Sequence, residues 1–238
     1  MKKIILICSK ELGTYLSSPM AYIVSAFFIG LSGASFTTYL AQSSYSDTSI
    51  RGFLETAQFL ILLFSALLTM RLISEERKLG TWELLLTAPV QDYEIVLGKF
   101  FSSLIILTGM LIMTLYFPVL LMIFGDPDTG PILTSYLGLI LIGSASLAIG
   151  IFSSSLTTNQ IVSAVVASGI LFGLWFLGMV GNLLPQPAGE ILSYFSLSQH
   201  FLGFVRGIVD TRDVIYYLSV TAVFLFLSVR SIETERWR

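Results

Sequence analysis

Charge is what this sequence has least of. Asp, Glu, Lys and Arg make up 12% of its 238 residues, about half the usual share in a globular protein, while 55% of the residues are apolar. A soluble fold of this size needs enough charged side chains to cover its exterior, and a mean hydropathy of +0.84 says that much of this exterior meets lipid. The 13 basic and 15 acidic residues nearly balance, with no basic arm, so a nucleic-acid partner has no electrostatic footprint. A single cysteine, Cys8, cannot close an intrachain disulfide, and a single histidine, His200, cannot build a histidine-rich metal site. Nucleotide-binding motifs are missing as well. Gly98-Lys99 lacks both the preceding glycine and the following Ser or Thr of a P-loop, so the chain has no loop to cradle a phosphate. G-x-G-x-x-G, H-E-x-x-H and C-x-x-C are absent too.

The charge-free runs mark the membrane spans, because an ionised side chain at mid-bilayer costs roughly 2.5 to 3.5 kcal/mol on insertion scales. Residues 20–40 read as the first span, 53–73 as the second and 100–124 as the third, with Pro118 interrupting its pattern. Between Asp128 and Glu190 there is no charge at all, room for two spans at roughly 20 residues each. The polar turn Ser153 to Asn159 divides them into 134–152 and 160–183, and a sixth follows at 214–229. Lys2, Lys3, Lys10, Arg71, Arg77, Lys78, Lys99, Arg230, Arg236 and Arg238 fall on one side, against Arg51, Arg206 and Arg212 on the other. The bias predicts cytoplasmic termini. The apolar stretch Ile4 to Cys8 is too short for a cleavable signal peptide.

Three segments are not simple spans. Residues 1–17 place Ile4, Ile5, Cys8, Leu12 and Tyr15 on one helical face and Lys3, Lys10, Thr14 and Ser17 on another, the pattern of an amphipathic helix lying in the membrane interface. Ser74 to Phe100 is a long charge-bearing loop: a charged cluster, a Gly-Thr break, a short apolar helix from Trp82 to Thr87, and then Ala88-Pro89. Proline ends that helix, and Asp92 is placed to cap the next, with Glu94 in its first turn. Pro185 to Asp213 is too apolar for a solvated loop and too interrupted for a span, which suggests a re-entrant pair of short helices.

The loop sequence EERKLGTWELLLTAPV, followed by EIVLGKF, resembles the coupling-helix signature of ABC-2 type transporter permeases, in particular their gliding-motility (GldF-like) branch. In outline the resemblance covers the whole chain, 1–238, as one all-α integral membrane domain with an interfacial helix, six spans, a cytoplasmic coupling helix and a re-entrant segment before the last span. It implies that a separate ATPase subunit grips the loop, with Glu75, Glu76, Gly80, Thr81, Glu83 and Pro89 shaping the coupling helix and Trp82, Leu84 and Leu85 entering a groove. A second contact is implied at Ser154, Ser155, Thr157 and Thr158. No catalytic, cofactor or metal residue is expected in this chain; ATP and Mg would sit on the ATPase, present in two copies. A second permease copy, or an accessory membrane subunit with an external domain, would complete an assembly of the cytoplasmic (inner) membrane that couples ATP hydrolysis to export or to mechanical work such as gliding motility.

Two other readings compete with transport. A non-transporting membrane anchor of a motility or secretion complex conflicts with no residue. Gly30-Leu31-Ser32-Gly33 resembles the G-x-S-G of rhomboid proteases, with His200 the one available base. Its serine lies on the wrong span, however, and small residues are the usual means by which membrane helices approach closely. Only Glu55 lies within a span, near its end, so no mid-depth ion site marks a channel or proton-coupled carrier.

Overall fold

The computed structural model describes residues 2–42, 51–82, 90–125 and 127–236, and among them every regular element is a helix. In chain order these are α1 (Lys2–Ser17), α2 (Pro19–Gln42), α3 (Arg51–Thr69), α4 (Ser74–Lys78), α5 (Asp92–Thr114), α6 (Tyr116–Phe124), α7 (Thr129–Ser155), α8 (Gln160–Gly181), α9 (Ala188–Tyr194), α10 (Phe201–Val205) and α11 (Thr211–Arg236). Six helical stretches are long and apolar enough to cross a membrane: α2, α3 with its continuation, α5 with α6, α7, α8 and α11.

α3 and α7 form the centre of the bundle, while α2, α8 and α11 leave most of their surface on its outside. α7 touches α3, α5, α8, α10 and α11, because its small residues admit neighbouring side chains closely: Gly143 faces Leu107 and Gly138 faces Phe204. Aromatic edges fasten the remaining seams. Phe28 meets Phe64 with ring centroids 5.2 Å apart, and Phe36, Phe53 and Phe117 join α2, α3 and α6.

The helices run longer than their charge-free middles. α7 begins at Thr129, not 134, because Asp128 caps it by accepting from the Gly130 N–H at 3.1 Å. Asn159 does the same for α8, which ends at Gly181 rather than 183. α11 extends past 214–229 at both ends, carrying charges in its terminal turns.

The third span departs most from expectation. It starts at Asp92, eight residues earlier than 100, and the break falls at Leu115, between α5 and α6. Pro118 sits in the first turn of α6, where its missing N–H costs nothing; its ring excludes the carbonyl four residues earlier, so the helix interrupts there. The cap of α5 is Gln91, whose N–H meets Glu94 Oε2 at 3.1 Å. The expected cap, Asp92, is the first helical residue.

α1 lies across the start of α5 with its expected apolar face inward: Tyr15 is buried and Ile4, Cys8 and Leu12 are half-buried, while Lys3, Lys10, Thr14 and Ser17 are exposed. Ile5 is the exception, being exposed together with Leu6. The inward face also buries Glu11, which meets a lysine.

Candidate functional site

Three elements gather at the end of the bundle where α1 lies: α1 itself, the turn from α3 into α4, and the first turns of α5. The turn is built by a side chain from elsewhere. Ser154 Oγ, at the end of α7, accepts from the Ile73 and Ser74 N–H groups at 3.1 Å each and donates to the Met70 carbonyl at 3.2 Å. Ile73, the residue before α4, supplies no side-chain cap, so Ser154 satisfies amide groups that would otherwise be orphaned. α4 then ends at Gly80, whose φ of 72° is the left-handed value that glycine adopts at helix ends. The expected Gly-Thr break is therefore a helix stop, with Thr81 Oγ1 donating back to the Glu76 carbonyl at 3.2 Å.

Lys99 is the centre of the cluster. It is 1% exposed, and its Nζ lies 2.8 Å from Glu11 Oε1 and 2.9 Å from Glu76 Oε2. Lys10 approaches the other Glu76 oxygen at 3.5 Å. One ammonium thus holds carboxylates from α1 and α4 against α5, each contact strengthened by charge and by burial. Gly98 makes the approach possible: a Cβ there would stand 2.7 Å from the Ile7 side chain and 3.2 Å from the Ile4 carbonyl oxygen. The Gly98-Lys99 pair, useless for phosphate, is a docking seat for α1.

Beside this cluster Tyr15 donates to the Leu68 carbonyl, and Arg71 lies over the Tyr15 ring at 4.4 Å while donating to Ser18 Oγ at 3.2 Å. Burial pushes the Tyr15 phenol well above its ordinary range, so it remains a neutral donor. Burial, and then the charge of Glu11, also push the Cys8 thiol up. A cavity of about 340 Å³ opens between α1 and α4, walled by Glu11, Tyr15, Arg71, Glu75 and Lys99 among others.

The residues expected to meet the ATPase form two groups, the loop and the second contact. Glu75 lines the cavity, Glu76 binds Lys99, and Gly80 and Thr81 terminate α4. Trp82 is 6% exposed and packed in the core, with the Arg77 guanidinium 5.5 Å above its ring. The indole expected to reach outward is turned inward, because its large apolar surface is covered by its own chain. Glu83, Leu84, Leu85 and Pro89, and with them the helix expected from Trp82 to Thr87, lie outside the described residues. In the second group Ser154 and Ser155 are fully buried, while Thr158 is exposed and Thr157 partly so. The two groups, expected as separate contacts, meet where Ser154 caps α4. Glu11, Gly98 and Lys99 were not among the expected site residues, although the LGK in the loop motif and the lone acid of α1 pointed to them.

At the far end, Pro185 to Asp213 contains α9, seated on α8, and α10, seated on α7. His200 Nδ1 lies 2.6 Å from Asp213 Oδ1 and Nε2 lies 2.8 Å from the Tyr194 carbonyl, with the ring stacked on Tyr216 at 3.9 Å. Tyr216 and Tyr217 donate to the Phe195 and Leu197 carbonyls, both at 2.7 Å. Both imidazole nitrogens are taken up by Asp213 and the Tyr194 carbonyl, and no serine hydroxyl is among their partners, so the protease reading finds no serine–histidine pair.

A multi-pass helical membrane protein with a buried charge cluster binding its amino-terminal helix to its first inter-span loop is the class these features define. The family model described as "ABC-2 family transporter protein" matches residues 5–236, and the chain belongs to that family. Among curated proteins it is 26% identical over 169 residues to the "Probable multidrug ABC transporter permease YbhS" of Escherichia coli K12, and equally to that of strain O157:H7. The match covers 70% of this chain and 44% of each relative, so the chain spans less than half the length of the curated relatives it matches.

Proposed function

We propose that the chain is the membrane-spanning permease subunit of an ATP-driven exporter of the inner membrane, with both termini in the cytoplasm. A separate ATPase, in two copies, binds ATP and Mg and docks on the loop Ser74–Phe100. A second permease copy or an accessory membrane subunit completes the pathway. The observation that carries this reading is the seating of the loop: its two flanks are fixed to α7 by Ser154 and to α1 and α5 by Lys99, so a push on residues 83–89 is passed directly to the bundle. A solvated connector has no need of such anchors. Family membership supports the ATPase partner, the likeness to probable multidrug permeases supports small-molecule export, and the sequence of the loop supports the gliding-motility branch.

The test is co-purification with the ATPase and stimulation of its hydrolysis in nanodiscs. Glu83→Lys, in the loop itself, should leave insertion intact and reduce stimulation. Trp82→Ala should act mainly through the fold, since the ring is packed inside, and should lower thermal stability together with association. Wild-type values for both variants would return the chain to the membrane-anchor reading.

Topology is checked separately. In a Cys8→Ser background, a cysteine replacing the exposed Thr129 at the start of α7 should be labelled by a membrane-impermeant maleimide in intact cells. Labelling only after lysis would invert the proposed orientation.

A further inference from the structure

We infer that Lys99 is a positioning residue that locks α1, α4 and the first turns of α5 into one rigid body, so that a force on the loop moves the amino-terminal helix and the third span together. This rests on the loop being the ATPase contact. The inference comes from the placement of the charges. Glu11 of α1 and Glu76 of α4 both close on one ammonium that is 1% exposed, whereas other ion pairs joining these elements, Lys10 with Glu76 at 3.5 Å and Lys3 with Glu94 at 3.9 Å, are longer and use exposed lysines. The ammonium donates a charge-assisted hydrogen bond of 2.8 Å to Glu11, and Glu76 adds an ion pair at 2.9 Å. A second anchor lies on the same body: Tyr15 of α1 holds the Leu68 carbonyl at the end of α3, and Arg71 bridges back to Tyr15 and Ser18. Gly98 brings α1 too near to α5 for either to slide without collision. A contact surface alone would need none of this; a lever requires that its arm not bend where it meets the load.

The experiment measures distances between spin labels in the Cys8→Ser chain in nanodiscs, with labels at the exposed positions Leu6 on α1, Leu79 after α4 and Ile105 on α5. In complex with the ATPase, the 6–105 and 6–79 distances should be the same in nucleotide-free and ATP-trapped states, while distances from 105 to Ile161 on α8 change. Glu11→Gln keeps an acceptor for Lys99 and the shape of the side chain but removes the charge. It should fold, retain the ATPase, let the 6–105 distance vary with nucleotide state, and lower stimulated hydrolysis about fivefold or more. Lys99→Met should do the same more severely. A merely structural role would lower the melting temperature and leave the state dependence of these distances unchanged.

A wild-type 6–105 distance that shifts by several ångströms between states would overturn the rigid body, and so would a Glu11→Gln chain with wild-type distances and stimulation. If no ATPase binds the wild-type chain, it is the docking reading that fails. The isolated chain then decides the rigid body: a single narrow 6–105 distribution, split by Glu11→Gln, supports it, and an unchanged distribution in the variant refutes it.

Discussion

Lys99→Met is expected to destabilise the folded chain by about 3 kcal/mol or more, the cost of leaving buried carboxylates without their counter-charge. Methionine fills the volume of the lysine stem, so no cavity contributes and the loss reports charge alone. Glu11 and Glu76 are 11% and 17% exposed at the side chain, enough for some water to reach them, which places the expected loss near the lower end of the range for broken buried pairs. Glu11→Gln should cost much less, about 1 kcal/mol, since an amide oxygen still accepts from the ammonium. Equilibrium unfolding in mixed micelles, with the denaturant dependence checked for constancy, measures both. A loss under about 0.5 kcal/mol for Lys99→Met would mean the cluster behaves like a surface ion pair.

Ser154→Ala has the second largest expected effect, about 2 to 4 kcal/mol, because two backbone N–H groups lose their acceptor at once and each buried orphan costs about 1 to 3 kcal/mol. The substitution removes one oxygen atom. Its consequence lies 80 residues away, at Ile73 and Ser74, so the same variant should raise hydrogen exchange in α4 selectively while α7 stays protected. Exchange that rises in α7 and not in α4 would show that the serine stabilises its own helix instead.

The six spans were legible because lipid imposes a local rule: an uncharged run of sufficient length is a span wherever it occurs. The interruption near Pro118 and the stop at Gly80 were legible for the same reason, as each depends on one residue's backbone chemistry. What failed was the use of charge as a boundary. Lys99 marked the edge of the third span only while it was read as solvated; paired with Glu11, 88 residues away, it lies inside a helix that begins at Asp92. A pairing across that separation leaves no periodicity to detect. The burial of Trp82 was hidden for a related reason. An apolar residue in a polar loop can face a partner or its own core, and only the placement of Arg77 and the bundle decides. Ser154 belonged to a turn with no signature, since one hydroxyl among several serines is distinguished solely by what it meets.

The distance in sequence between Glu11 and Lys99 also bears on biogenesis. α1 leaves the ribosome before the lysine that seats it, which follows 88 residues after Glu11, a delay on the order of 4 to 18 s at roughly 5 to 20 residues per second. During that interval α1 carries an unpaired acid on the face destined for burial and apolar Ile5 and Leu6 on the opposite one, so it can rest on the lipid surface by those residues without committing Glu11 to a dry environment. Arrival of Lys99 then draws the helix onto the bundle. Seating of α1 thus waits on the emergence of the third span, and a chain truncated before residue 99 should leave α1 on the membrane surface, undocked.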